Sequence, residues 1–350
     1  MAGQTVIVAM SGGVDSAVAA HGLVAEGFDV LGVYMQLGAA APSAATDARR
    51  VAERLGIAFE ERDATAAFAG ILDYVAAEYA RGRTPNPCVR CNPRVKFAHL
   101  LALADRRGAA CVATGHHAKI ASFEGRPALW RSGDGAKDQS YVLCGLPAAM
   151  LKRLRFPIGD MDDKAEVRRI ADALGLHVAD KPDSQDICFG DRYVDLLARR
   201  APQALRGGAI LDPDGREVGR HEGVGRYTIG QRRGLGVALG APMYVTAIDA
   251  DAGTITIGPR EATESRRLVA SGANWQATVP RGEPFRAHVQ IRYGHAAQSA
   301  TVQADGERFA VTFDAAVHAI TPGQVAAVYD GDRLLGGGWI DVAAIEANTE

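Results

Sequence analysis

The run Thr5-Val6-Ile7-Val8-Ala9 is almost wholly apolar, too short for an ordinary helix, and stops just before the pair Gly12-Gly13. A strand that is apolar on both faces belongs inside a sheet covered on both sides, as in a parallel α/β sheet. The first half of the chain keeps to that plan. Strands are expected at residues 5–10, 29–36, 57–61 and 109–114, and helices near 15–26, 46–55, 65–80 and 93–107. A further helix fits the stretch from Asp162 to Leu176, where Asp162 or Asp163 can cap the first turn and Gly175 can end the last. The expected fold is therefore α/β, with an N-terminal parallel-sheet domain over residues 1–200.

After Arg200 the period changes to hairpins. LDPDGREV (211–218) and YVTAIDADAGTITIG (244–258) each place a turn between two short strands, and three later segments between Arg286 and Ile340 repeat the alternation. We expect a small central β-rich domain over 201–270 and a C-terminal β domain over 271–350, with a soft boundary near 267–275.

Composition excludes several classes. In a chain of 350 residues that is 47% hydrophobic and 23% charged, a core is affordable and disorder is a poor reading. No apolar run approaches the roughly 20 residues of a membrane span. The first residues do not read as a leader peptide, so a cytoplasmic location is expected. Five cysteines at irregular spacing do not make a secreted disulfide framework. Between Arg81 and Arg107 stand seven Lys and Arg against the single acid Asp105, an excess that could meet phosphates or serve as a solvated face.

The segment MSGGVDS (10–16) follows the first strand and opens a helix. Two glycines there let backbone N–H groups approach an anion, and the helix N-terminus adds partial positive charge. Ser11 and Ser16 offer hydroxyls, and Asp15 could hold a divalent cation beside a polyphosphate. The loop lacks the lysine of the common phosphate-binding loop. Sulfur chemistry is the second theme, carried by NPCVRCN (86–92) and DSQDICFG (183–190). Cys91 and Cys188 could close a disulfide across a site, and a thiolate among arginines would be a good nucleophile or persulfide carrier. Alternatively, Cys88 and Cys91 have zinc-ligand spacing, although no second such pair exists. Cys111 and Cys144 lie in apolar surroundings and read as core. Two rivals stay open on the residues alone: an adenylating ligase for a small molecule, and a zinc-stabilised RNA-binding protein.

S-G-G-V-D-S after an N-terminal strand resembles the loop of ATP pyrophosphatases. Taken with PNPCVRCN, KFAHLL, ATGHHAKI, KDQSYVL, DSQDICF and YTIGQRRGLG, it makes nearly the whole chain resemble the tRNA-specific 2-thiouridylase family. That resemblance implies a nucleotide-binding α/β domain, a small central domain and a C-terminal β-barrel. It also implies an activity, ATP- and Mg2+-dependent replacement of the C2 oxygen of the wobble uridine by sulfur. By the same resemblance Cys91 is the resolving nucleophile and Cys188 the persulfide carrier. Ala9, Met10, Ser11, Gly12, Gly13, Val14, Asp15, Ser16, Met35 and Gly115 would contact ATP. Asn86, Pro87 and Cys88 would surround the target base, with His116 and Gln324 as further positions near the target nucleotide, and Lys137, Asp138, Gln139, Arg292 and Tyr293 would contact the tRNA. The implied partners are tRNA and an upstream persulfide relay protein; a monomer is expected, with no resident metal ligand set and no membrane. Many members of the family carry aspartate where this chain has Cys88.

Overall fold

The computed structural model describes residues 3–38, 42–182 and 193–343. In the first layer β1 (Thr5–Ala9), α1 (Val14–Ala25), β2 (Asp29–Gln36), α2 (Pro42–Leu55), β3 (Ala58–Asp63) and α3 (Thr65–Ala80) alternate as the apolar pattern requires. The helix α4 (Pro87–Cys91), a π-helical turn (Asn92–Lys96) and α5 (Phe97–Arg107) then lead to β4 (Cys111–Thr114). Val6, Ile7 and Val8 are fully buried, because β1 is the central strand and carries helices on both faces.

The single helix expected at 93–107 is thus two pieces, the π turn and α5, with α4 ahead of them. Pro93 cannot donate to the helical ladder and its ring crowds the preceding turn. The chain answers by widening to a π turn, in which Phe97 N–H reaches Asn92 O, five residues back. Cys91 sits at that junction.

Beyond β4 come β5 (Lys119–Phe123), β6 (Arg126–Trp130), α6 (Ala148–Leu151), β7 (Leu154–Arg155) and α7 (Lys164–Ala173). The parallel sheet runs β3-β2-β1-β4-β7. Its order reverses direction between β1 and β4, and the crevice outside the strand ends at such a switch point is where open α/β sheets bind ligands. Asp163 caps α7 through Glu166 N–H (2.7 Å), and Gly175 follows at φ +64°, the left-handed conformation that ends a helix.

The chain continues through α8 (Tyr193–Arg200), β8 (Gly208–Leu211), β9 (Glu217–His221), β10 (Tyr244–Asp249) and β11 (Thr254–Gly258). The last four form the central sheet, ordered β10-β11-β8-β9 around Ile210, Val245, Ile255 and Ile257. The remaining strands are β12 (Glu264–Trp275), β13 (Pro284–Gln290), β14 (Gln298–Asp305), β15 (Arg308–His318), β16 (Val325–Asp330) and β17 (Arg333–Ala343). They pair in the order β12-β15-β14-β13-β16-β17, and β17 returns to β12, closing a barrel. Closure removes the exposed edges an open sheet would leave. Because β12 is one continuous barrel strand starting at Glu264, a division at 270/271 falls inside it. The hairpin β5–β6, not foreseen in the sequence, extends the barrel wall through the pairing of Trp130 with Arg333. A hairpin from the N-terminal half is therefore hydrogen-bonded into the barrel sheet, which is separate from the parallel sheet.

Candidate active site

One cavity of about 360 Å³ opens at the switch point, with Ala9, Met10, Ser11, Asp15, Ser16, Met35, Cys88, Cys91, Lys96, Gly115, His116 and Gln139 among the residues in its wall. Three stretches far apart in sequence thereby meet: the loop after β1, the helix α4 and the turn after β4.

The loop after β1 is built to leave backbone exposed. Gly12 sits at φ +76°, and Gly13 is the N-cap of α1 with no side-chain hydrogen bond to the first turn. The first amides of α1 are thus left without a side-chain acceptor, and a ligand anion can take that place. Ser16 holds the loop from beneath: its hydroxyl donates to Gly13 O (2.9 Å) and accepts from Ser11 N–H (3.1 Å). Val14 turns away into the core. Gly115 packs against the same loop so tightly that a Cβ would stand 2.6 Å from the Asp15 carbonyl carbon.

Asp15 is the charged centre. Its Oδ1 accepts from Lys164 Nζ (2.5 Å) and faces His117 Nε2 (3.2 Å). Burial works against ionisation, but the hydrogen bonds and charges of His117 and Lys164 outweigh it and hold the carboxyl below its ordinary value. Lys181 Nζ reaches Gly12 O (2.9 Å) and Asp47 Oδ2 (2.7 Å). The loop that lacks a lysine in sequence thus receives two in space. Their signal is weak in the sequence, since Lys164 opens what reads as an ordinary surface helix. His117 was equally inconspicuous beside His116; it is buried, and its Nδ1 has no hydrogen-bond partner among the described residues.

Helix α4 supplies the sulfur groups. Asn86 caps it through Val89 N–H (3.4 Å), and Pro87 occupies its first turn, where a missing N–H costs nothing. Cys88 is exposed and Cys91 is buried among Phe68, Val95 and Leu196. At i and i+3 they share one helix face, and both border the cavity. Among the described residues no three His, Cys, Asp or Glu side chains converge as a metal site. The zinc reading of Cys88-x-x-Cys91 thus finds no third ligand there. Cys144 is fully buried, which pushes its thiol up to about 12, and Cys111 is half-buried with its thiol raised by burial. Both are inert core thiols.

His116 lines the cavity as a packed, neutral ring. It lies between Phe97 and Phe156 with centroids 5.8 and 5.7 Å away, and its Nδ1 is 2.6 Å from Thr114 Oγ1. Burial first, then the nearby Lys96 and His117, hold its pKa well below the usual histidine value. An unfolded chain takes up a proton here as pH falls below about 6.5, and the folded one does not. The stability from this depression is complete above that pH and is lost as pH falls toward the folded pKa. His116→Gln is expected to flatten this part of the acid loss, each unit of depression being worth about 1.4 kcal/mol. Denaturant unfolding at several pH values between 7.5 and 5 measures it, and identical slopes for both proteins would refute the assignment.

The basic stretch Arg81–Arg107 is not one anion surface. Arg81 and Arg83 pair with Glu78, Arg107 pairs with Glu60, and Arg90 stacks over Tyr74 at 4.4 Å. Lys96 is the member that lines the cavity.

Of the other expected RNA contacts, Gln139 borders this same cavity. Asp138 and Tyr293 line a second cavity of about 600 Å³ between the N-terminal layer and the barrel, with Arg131, Gln290 and His295. The Asp138 carboxylate is internally committed, accepting from Arg131 Nη1, Ser132 N–H, Ser140 N–H and Ser140 Oγ. Lys137, next to it, is half-buried. Arg292 is largely buried and donates to Thr321 Oγ1 (2.9 Å) and Ala319 O (3.3 Å), whereas Tyr293 is 46% exposed. Gln324 lies beneath the strap that precedes α4. Cys188, with the whole of DSQDICFG, lies outside the described residues.

Comparison with known proteins gives three consecutive family matches: tRNA methyl transferase HUP domain over residues 4–191, tRNA methyl transferase PRC-barrel domain over 194–259, and aminomethyltransferase beta-barrel domain over 265–340. The chain is 44% identical over 347 residues to the tRNA-specific 2-thiouridylase MnmA of Syntrophotalea carbinolica, covering 96% of this chain and 98% of that one. It is 45% identical over 354 residues to the protein of the same name from Chloroflexus aggregans, with coverage of 96% and 98%. Among solved structures, a 4-thiouridine synthetase–RNA complex with bound ATP matches at 16% identity and TM-score 0.37, covering 57% of this chain and 51% of that one.

Proposed function

The chain belongs to the tRNA-specific 2-thiouridylase family, and from that premise we propose that it is a tRNA sulfurtransferase that makes 2-thiouridine at the wobble position. In this reading the uridine C2 oxygen attacks the α-phosphate of ATP and pyrophosphate leaves. Sulfur from a persulfide on Cys188 then displaces AMP from C2. The observation that carries the reading is the single cavity shared by the loop after β1 and by the thiol helix α4, since the two half-reactions need an anion cradle and a nucleophile at one carbon.

Each residue has a task that follows from its surroundings. The loop from Ala9 to Ser16, with Met35 and Gly115, takes the nucleotide; its uncapped amides and Lys96 face the phosphates. Asp15 fits Mg2+, which commonly binds through one carboxylate together with phosphate oxygens. The ion would offset the phosphate charge there. Asn86, Pro87, Cys88 and His116 border the place for the uracil ring, which must leave its stack before C2 is within reach. A neutral His116 can accept or donate one hydrogen bond without repelling a cation. Cys91 attacks the inner sulfur of the Cys188 persulfide adduct, freeing the thiolated base and leaving a Cys91–Cys188 disulfide for a reductant to open. Lys137, Asp138, Gln139, Arg292 and Tyr293 serve the tRNA, and Gln324 acts behind them on the strap before α4. Asp138 serves the tRNA from inside, by fixing Arg131 and the 132–140 turn.

The reading includes a monomer in the cytoplasm, supplied by an upstream persulfide protein, with three functional units, the first over 1–200 and the last beginning with β12 at Glu264. Incubating the protein with unmodified tRNA, Mg-ATP and a persulfide donor, then digesting the RNA, should yield 2-thiouridine by mass spectrometry. Cys188→Ser should remove the persulfide-dependent product. Nucleotide turnover with bound tRNA but no thiolated nucleoside would refute the reading and favour a small-molecule ligase.

A further inference from the structure

The strap Thr84-Pro85-Asn86-Pro87 leads directly into α4. Pro85 and Pro87 lack N–H groups and have fixed φ, so the strap is stiff and poor in donors of its own. Buried carbonyls in such a stretch must find donors elsewhere.

Those donors come from the barrel. Gln324 Nε2 donates to Thr84 O (3.0 Å) and Pro85 O (3.3 Å). Thr84 N–H donates to Pro322 O (2.9 Å), and Arg83 Nη2 to Ile340 O (3.2 Å). Gly323 abuts the strap so closely that a Cβ would stand 2.9 Å from Thr84 O. Gln324 is itself held, since its carbonyl accepts from Ile340 N–H (2.8 Å) and its N–H reaches Thr321 O (3.2 Å). The central domain adds a tie from Thr228 to the Thr84 hydroxyl (3.1 Å).

We propose that Gln324 is a positioning residue for the thiol helix, acting through the Thr84 and Pro85 carbonyls to set where Cys91 stands in the cavity. The barrel is then part of the catalytic centre as well as a surface for RNA. A stiff strap converts a displacement of its carbonyls into a displacement of the whole α4 turn, and reactions at sulfur lose rate steeply when the approach is off by about 1 Å. This rests on the reading of Cys91 as resolving nucleophile.

The test uses Gln324→Met, which keeps the shape and removes the donors, and Gln324→Glu, which presents a carboxylate to the two carbonyls. With full-length protein, both should lower kcat for thiolation by about 10-fold or more and leave KM for tRNA within about twofold. In the RNA-free protein, backbone hydrogen exchange over residues 88–92 should quicken, and wild-type melting temperature shows that the fold is intact. A raised KM at unchanged kcat would make Gln324 an RNA contact and overturn the proposal. Unchanged exchange over 88–92 would overturn it too, and that measurement stands whether or not the protein thiolates RNA. Absence of thiolation by the wild type would strike the functional reading instead.

Discussion

Cys91→Ser is expected to lower the rate of 2-thiouridine formation by about a thousandfold or more, the scale on which removing a nucleophile acts, while tRNA and nucleotide still bind. The substitution exchanges one atom at a site that is 5% exposed and packed by Phe68, Val95 and Leu196. A hydroxyl is nearly the same size, so the helix should stand, but an alcohol does not attack sulfur at neutral pH as a thiolate does. The two routes for sulfur then diverge. If persulfide on Cys188 attacks C2 directly, the variant should accumulate a covalent RNA–protein adduct in a single turnover. Dithiothreitol should release it as thiolated RNA. If Cys91 first reduces the persulfide to hydrogen sulfide, no adduct forms and added sulfide should restore product. Wild-type rates in Cys91→Ser would end the assignment of Cys91 as nucleophile, and would turn attention to the exposed Cys88 one helical turn away.

The parallel sheet was legible because its signal is local. The runs Val6-Ile7-Val8 and Val30-Leu31 are buried in the sheet interior, and apolar runs separated by helical periods have few other solutions. The hairpins after Arg200 were legible for the same reason. What stayed hidden was produced by tertiary packing. The short strand β7 has two residues, too few to carry a period. The pairing of Trp130 with Arg333 joins segments two hundred residues apart, and nothing in either segment announces the other.

The site divides likewise. S-G-G-V-D-S and the two cysteines of α4 were readable because each carries its chemistry in contiguous residues. Lys164, Lys181 and His117 were not, since their roles exist only after the fold sets them against Asp15 and Gly12. Charge counting left Arg81–Arg107 open between phosphate contact and solvated face, because the acids that pair with Arg81, Arg83 and Arg107, Glu78 and Glu60, lie outside the run in sequence. Resemblance pointed to Asp138 and Arg292 as tRNA contacts, and it does not report what each also holds within the protein: Asp138 accepts from Arg131 and Ser140, and Arg292 donates to Thr321 Oγ1.

Asp15→Asn is the second large effect expected, and it separates catalysis from folding at one atom. The amide cannot balance Lys164 or hold Mg2+ as a carboxylate does, so thiolation should fall by about 10²- to 10³-fold, the range for losing one preorganised electrostatic partner. Stability should fall as well, because Lys164 is only 12% exposed and loses its ion pair with Asp15. Breaking a buried ion pair costs about 3–5 kcal/mol; with Asp15 still 31% exposed, solvent screening reduces this to about 1–2 kcal/mol. The sign in pH follows from the lowered carboxyl pKa. Its contribution is complete above the unfolded value near 3.9 and disappears as pH falls through the folded value, so wild type and variant should converge in acid. Adding Lys164→Ala to Asp15→Asn removes the cation of that pair as well. The double variant should recover much of the lost stability at pH 7 and none of the activity, read by thermal unfolding beside the thiolation assay. If activity returned with stability, Asp15 would be a structural anchor for α7 and the nucleotide chemistry would have to rest on the loop amides and Lys96 alone.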